Sequence, residues 1–382
     1  MKAHRPWAWL LGGLLALLAS VSFARAVTFD TAARAAILVD FRTGQVLFAK
    51  NPDARIYPAS MSKLMTAYIV FERLAEGSLR LEDELPVSEK AWRMGGSQMF
   101  LEVGERVKVE DLLRGMIVQS GNDAAVVLAE ALAGSERAFA ELMNRKAKEL
   151  GLTGSHFVNA TGLHDPEHYM TVRDLATLAR AIIRRFPDYY RYYSEKEYTY
   201  NGIRQFNRNP LLRKGVPGVD GMKTGHTQEA GYGLVASAER DGRRLILVVA
   251  GLETARQRAI EAERLLEFGF REFKEYRLFQ PGETVVEAEV WMGAADTVPL
   301  ASEEVVAVTL SRSAREGLEI RARFRSPVPA PVRRGERLGT LVITAPGIEP
   351  LELPLVAARD VERAGVAGRV VDALAWLLWG GT

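Results

Sequence analysis

Read for the spacing of its apolar positions, the 382-residue chain falls into segments of different period. Residues 35–40 and 45–50 are largely apolar and flank Arg42, Thr43 and Gly44, which predicts two strands joined by a turn. From Lys63 to Arg185 the pattern is mostly helical. Within it, Thr171 and Asp174 form a capping-box-like start to an amphipathic run through Leu175, Leu178, Ala179 and Ile182. Strand character returns at 231–237 and 244–250, with Asp241 and Gly242 as the hairpin turn. A helix over 254–268, closed by Gly269, follows. Strands at both ends of this stretch with helices between them predict one sheet assembled from distant parts of the chain.

Around 276–282 the composition shifts and period two takes over. Leu318, Ile320, Ala322 and Phe324 alternate with Glu319, Arg321, Arg323 and Arg325, the signature of a half-buried strand. Similar segments at 285–291, 305–311, 338–344 and 351–356, separated by Pro and Gly, predict a small all-β domain without a catalytic constellation.

The two termini differ again. Lys2 and Arg5 precede an apolar run over 7–21 that ends in Ala24, Arg25 and Ala26, the order of a secretory signal peptide, so the expected mature start is Val27. The alternative, an uncleaved anchor, asks for a longer run. At the other end, Val366, Val370, Leu374, Leu377 and Leu378 share one face of an expected helix, with Arg369 and Asp372 opposite and Trp376 and Trp379 near the end. From 366 to 379 such a helix is about 21 Å long, against a hydrocarbon core of roughly 30 Å. It is therefore expected to lie in a membrane interface, the alternative being a helix packed on the protein's own β-domain. The expected bounds are 1–26 for the signal peptide, 27–276 for the main domain, 277–357 for the β-domain and 358–382 for the terminal helix.

Charge and cysteine usage narrow the function classes. The formal charge of +2 includes Lys2, Arg5 and Arg25, and without them the chain is near −1. That balance gives no electrostatic case for nucleic acid. Zero cysteines exclude a disulfide framework and a thiolate metal site, so stability must come from burial.

Candidate chemistry begins at Pro58-Ala59-Ser60-Met61-Ser62-Lys63, a loop that delivers Ser60 to the first turn of a helix. A serine and a lysine three residues apart share a helix face, where a lysine that loses its proton can activate the hydroxyl without a histidine. Alone, the pair reads equally as a helix start with a solvated lysine. Ser120-Gly121-Asn122, however, interrupts one apolar helical run (Leu112, Leu113, Met116, Ile117, Val118) and precedes another (Ala124 to Leu128), a polar kink between buried helices. Lys223-Thr224-Gly225 follows a glycine-punctuated stretch and precedes His226, where a strand can bring its backbone close to a ligand. His164 and His168 flank Asp165-Pro166-Glu167; Pro166 and Gly162 deny the helix or finger context of a zinc motif, so this reads as a polar loop and no metal is expected.

The ordered triple S-x-x-K, S-x-N, K-T-G resembles that of the penicillin-binding proteins and serine β-lactamases. The runs 201–209, 221–227 and 231–237 narrow the resemblance to the low-molecular-mass D-alanyl-D-alanine carboxypeptidases, over most of the chain from about Ala35 onward. The resemblance implies an α/β (α+β) penicillin-binding/β-lactamase-like transpeptidase domain with its active site between sheet and helices, followed by a sandwich-like all-β domain and an amphipathic C-terminal helix. It implies Ser60 as nucleophile, Lys63 as its base, Ser120 as proton relay, and Asn122 orienting Lys63 and the substrate amide. Lys223 and Thr224 would hold the substrate carboxylate, with Gly225 and His226 beside them. Arg208 and Arg258 would assist or be ordinary surface arginines. The backbone N–H groups of Ser60 and His226 would form the oxyanion hole. The implied substrate is a peptidoglycan stem peptide, β-lactams are implied inhibitors, no cofactor is needed, and the site of action is the outer face of the cytoplasmic membrane. Thr161 stands where some members carry a histidine, and the E-x-x-L-N pattern of class A β-lactamases is absent, which argues against rapid β-lactam hydrolysis. The rivals are an endopeptidase or β-lactamase of the same fold, or a catalytically silent wall-binding or sensor protein; the appended β-domain and the intact Ser60, Lys63, Ser120 and Lys223 favour the carboxypeptidase.

Overall fold

The computed structural model describes residues 29–366, so the signal-peptide reading and the helix reading beyond Val366 lie outside the described residues. Five strands form one antiparallel sheet in the spatial order Val46–Lys50, Ala35–Asp40, Arg243–Leu252, Gly231–Arg240, Val219–Thr227. The first strand of the chain thus pairs with a strand some two hundred positions later, as the sequence pattern requires. The turn between Gly231–Arg240 and Arg243–Leu252 has positive φ at both Asp241 and Gly242, which suits the twist of a tight hairpin.

Both faces of this sheet are covered, which is why its central strands read as unbroken apolar runs rather than alternating ones. Ile37, Val39, Val235, Ile246 and Val248 point into a core shared with the helices Lys63–Ala75, Val109–Val118, Asn122–Ala133, Glu136–Glu149 and Val172–Arg185. Their neighbours Leu38, Leu234, Ala236, Leu245 and Leu247 point the other way, onto Ala262, Leu265, Leu266 and Phe268 of the helix Ala255–Glu272. That helix does not stop at Gly269. A Cβ there would lie 2.5 Å from Leu38 Cδ2 and 2.8 Å from Leu245 Cδ1, so the glycine serves a close approach of helix to sheet rather than a cap. At Thr171 the cap is real but one-sided: its hydroxyl accepts the Asp174 N–H, while the Asp174 carboxylate turns to Gly154 N and Ser155 Oγ instead of returning to Thr171.

The strand Phe273–Phe279 leaves the helix end directly and pairs with Val306–Ser311. The pair packs over a six-stranded sheet in the order Glu319–Phe324, Arg337–Thr344, Leu351–Ala357, Thr297–Ala301, Thr284–Trp291, Val328–Pro329. Val306, Val308, Leu310, Leu341, Ile343 and Leu355 fill the layer between them, a sandwich-like core. A bond from Thr309 N to Gln45 Oε1 (2.6 Å) and an Arg42–Glu275 ion pair (3.0 Å) tie this body to the first.

The described part of the segment expected to be helical from 358 is not a helix. Val361 pairs with Val332 and Arg363 with Gly293, so the chain runs extended along the β-domain until helical backbone begins at Val366. Its N–H groups are already used by the sheet edge: Val361 N bonds Val332 O and Ala364 N bonds Met292 O.

Candidate active site

Ser60 sits in a 3-10 turn, Ala59–Ser62, that runs straight into the helix Lys63–Ala75. One turn of helix brings Lys63 Nζ to 3.0 Å from Ser60 Oγ, as the spacing predicted. The ammonium's other contacts are Asn122 Oδ1 at 2.7 Å and the backbone carbonyl of Thr161 at 2.6 Å. Lys63 is 1% exposed, and burial above all pushes its pKa down to about 7; Asp123 and Glu136 oppose the shift and Arg208 adds to it.

The polar kink lies between the helices Val109–Val118 and Asn122–Ala133. Ser120 takes φ +70°, a left-handed conformation uncommon outside glycine, and its hydroxyl accepts a 2.9 Å bond from Lys223 Nζ. Asn122 is clamped at both ends of its amide: Oδ1 meets Lys63, and Nδ2 donates to Gly95 O at 2.7 Å. Asp123 accepts from Met99 N (2.9 Å) and Leu101 N (3.4 Å), fixing the loop that runs past the kink. The polar side chains of the kink therefore each have a hydrogen-bond partner.

Lys223 lies on Val219–Thr227, the edge strand of the sheet, and is 2% exposed. Its pKa is pushed well below the ordinary lysine value, by burial first and then by Lys63, Arg208 and Arg258. Two cations, Lys63 and Lys223, thus lie buried close together, with Arg208 acting on both. Gly225 lets this strand touch the serine turn backbone to backbone, since a Cβ there would sit 2.5 Å from Pro58 O and 3.1 Å from Met61 Cγ. The His226 ring stacks on Tyr232 at 3.8 Å and donates Nδ1–H to Gly231 O at 3.1 Å.

Between the strand and the helices opens a cleft of about 550 Å³. Ser60, Ser120, Thr224, Gly225 and His226 line it, while Lys63, Asn122 and Lys223 lie just behind these and hold them from within. Arg208 and Arg258 line it too, together with Arg213, which the sequence did not single out; among the described residues no carboxylate lines it. Arg208 donates Nε–H to Gln119 O at 3.1 Å, and Arg258 lies over the Tyr232 ring with its own Nε buried and unpartnered. The cleft is therefore cationic, shaped for an anionic group. Thr161, noted where some members of the resembled family carry a histidine, offers its carbonyl to Lys63, and its hydroxyl donates to Asn159 Oδ1 at 3.1 Å. His164 and His168 do not converge: His164 sits edge-on to Tyr57, whereas His168 is buried against Ser62.

A serine held at hydrogen-bond distance from a lysine of lowered pKa, facing an edge strand across a cationic cleft, is an arrangement suited to acyl transfer with lysine rather than histidine taking the serine proton. The sequence matches the D-alanyl-D-alanine carboxypeptidase family, peptidase S11, over residues 21–254, and the C-terminal domain of penicillin-binding protein 5 over residues 273–363. The chain belongs to the D-alanyl-D-alanine carboxypeptidase family. It is 41% identical over 379 residues to the D-alanyl-D-alanine carboxypeptidase DacC of Escherichia coli (strain K12), covering 95% of this chain and 95% of that protein. Its fold is similar to that of penicillin-binding protein 5 from Haemophilus influenzae, with a TM-score of 0.82 and 37% identity over 88% of this chain and 99% of that one. Penicillin-binding protein D2 from Listeria monocytogenes in its ampicillin-bound form is similar over 64% of this chain and 99% of that one, with a TM-score of 0.59 and 33% identity.

Proposed function

We propose that the chain is a serine-type carboxypeptidase that removes the terminal D-alanine from peptidoglycan stem peptides and is acylated by β-lactams. The observation that carries this reading is the set of three contacts around Lys63 Nζ. A neutral lysine amine has two N–H donors and one lone pair. The two donors match Asn122 Oδ1 and Thr161 O, which turns the lone pair to the Ser60 hydroxyl, and the pKa near 7 makes that neutral form available at neutral pH.

Ser60 Oγ attacks the carbonyl carbon of the penultimate residue as its proton passes to Lys63. The oxyanion that forms meets the backbone N–H groups of Ser60 and His226. The C–N bond then breaks, Ser120 relays a proton to the departing amine, and water hydrolyses the Ser60 ester to free the shortened peptide. Lys223, Thr224, Arg208 and Arg258 hold the terminal carboxylate, arginine suiting it through its planar fork of donors. The unpartnered Arg258 Nε and the absence of acids along the cleft among the described residues support that assignment. The expected outcome is one penicilloyl group on a peptide containing Ser60, with free D-alanine released from a D-Ala-D-Ala peptide, both lost in Ser60→Ala. An adduct on Ser62 or Ser120, or cleavage confined to cross-linked dimers, would replace this reading with another.

The same reading assigns residues 27–276 to the catalytic domain and 277–357 to the β-domain. It places the protein at the outer face of the cytoplasmic membrane, exported by residues 1–26 and held by the segment after Ala358, whose apolar stretch starts at Val366. Among the described residues no helix is long and apolar enough to cross a membrane. Co-sedimentation with liposomes of the chain from Val27, with and without residues after Ala358, tests this: equal sedimentation of the shortened form contradicts the anchor.

A further inference from the structure

One buried polar pair next to the reacting residues takes no part in the chemistry above. Ser62, the residue before the base, is fully buried, and its Oγ lies 2.7 Å from Nε2 of His168, which is 2% exposed. The other ring nitrogen, Nδ1, accepts the backbone N–H of Val158 at 3.3 Å. With Nδ1 an acceptor, the proton sits on Nε2 and Ser62 Oγ receives it. Burial keeps the ring neutral, with its pKa pushed down to about 4; Asp165 opposes this, and His156 and Lys63 add to it. His168 is thus a donor of fixed direction across the pH range in which Lys63 titrates.

The two ends of this bond belong to the two elements that hold the reacting pair. Ser62 closes the turn that carries Ser60, and His168 belongs to the loop 156–170, whose Thr161 carbonyl holds Lys63 Nζ. The same loop meets the helix again where Thr66 Oγ1 donates to Ala160 O at 2.8 Å. It also presses on the serine turn at Gly162, where a Cβ would sit 1.9 Å from Ala59 O.

We propose that His168 is a positioning residue: by donating Nε2–H to Ser62 it locks the serine turn onto the 156–170 loop, holding Ser60 Oγ and Lys63 Nζ at proton-transfer distance and keeping water from Lys63. It touches neither the substrate nor the reacting atoms. The proposal rests on the serine–lysine reading above and adds a residue to it.

The test is the acylation rate of the mature chain by a penicillin from pH 5 to 9. In His168→Ala the rate falls by about 10- to 100-fold, the scale of a misplacement near 1 Å. The pH limb near 7 also moves upward, because water reaching Lys63 stabilises its ammonium while Asp123, Glu136 and Arg208 stay in place. Ser62→Ala removes the acceptor from the other side and gives the same two changes, and the double variant adds little to either single one. His168→Gln restores an N–H donor to Ser62 and recovers most of the rate with the limb near 7. A residue that only stabilised the fold would lower the melting temperature and leave the limb where it is. An unmoved limb in both His168→Ala and Ser62→Ala overturns the proposal, as does a His168→Gln variant no better than His168→Ala; if His168→Ala does not fold, the Ser62→Ala and His168→Gln arms decide. Failure of the native chain to acylate at all would instead overturn the serine–lysine reading itself.

Discussion

At and behind the cleft wall, Lys63, Lys223, Asn122, Asp123, Ser62, Ser120 and Thr161 are all buried, each with a hydrogen-bond partner. The β-domain buries aliphatic side chains such as Val298, Leu300, Val308, Leu341 and Leu355, and its buried polar residues are Ser302 and Thr309. Taking an ammonium out of water costs several kcal/mol unless charge or hydrogen bonds compensate it. At Lys63 and Lys223 the contacts within hydrogen-bond reach are hydroxyl, amide and carbonyl oxygens rather than carboxylates, and burial lowers the pKa of both. The first region gives up stability to hold a lysine that, in the proposed mechanism, acts as a base at neutral pH. The second has no such demand on it and is free to pack as an ordinary core.

Lys63→Arg is the substitution that breaks this contrast most sharply. Arginine keeps the charge and cannot release a proton, so acylation of Ser60 is expected to fall by about 10²- to 10⁴-fold. The native protein should acylate faster as pH rises through about 7, because in the proposed mechanism the neutral amine takes the serine proton. The variant should lose that limb. For stability the sign follows from the same shift. The folded pKa, about 7, lies below the ordinary value of 10.5, so between those two values the unfolded chain holds a proton that the folded one does not. This residue's contribution to stability therefore rises with pH across that window, reaches its maximum above it, and is smallest below about 7. Stopped-flow acylation with a chromogenic β-lactam checks the rate; a near-native rate for Lys63→Arg removes lysine as the base.

Much of this contrast is legible in the sequence, and the parts that are not share a cause. Ser60 and Lys63 could be paired because helix spacing alone puts them on one face, and Asp241-Gly242 announces its hairpin through the conformations those residues tolerate. The third partner of Lys63 was hidden because it is a backbone carbonyl, which the identity of Thr161 does not encode. Gly269 reads as a cap in a periodic pattern; only the closeness of Leu38 and Leu245 shows it to be a contact. The strand Thr297–Ala301 escaped notice because it is short and carries Pro299, which argues against a central strand. His168 lies 106 positions from Ser62, and no local pattern joins them.

The smallest expected effect on catalysis, paired with a large one on stability, comes from the β-domain core. Leu341 is fully buried on Arg337–Thr344, whose neighbours on either side are Glu319–Phe324 and Leu351–Ala357, and it faces Ala322 and Leu353 in register. Leu341→Ala removes its apolar contacts and leaves a cavity, a change that costs about 2–5 kcal/mol in a well-packed core. In a body of this size each kcal/mol lowers the midpoint by roughly 4–8 °C. The catalytic sheet has separate cores, and the connections to the β-domain described above run through Gln45, Arg42 and the strand Phe273–Phe279 rather than through Leu341. The variant should therefore show an earlier thermal transition of the β-domain in calorimetry while Ser60 acylates within about twofold of the native rate below that transition, a tolerance set by the near-independence of distant sites. A matching fall in acylation rate would mean that the junction at Thr309 and Gln45 carries strain from one body to the other, and that the division of labour between the two regions is less complete than their buried residues imply.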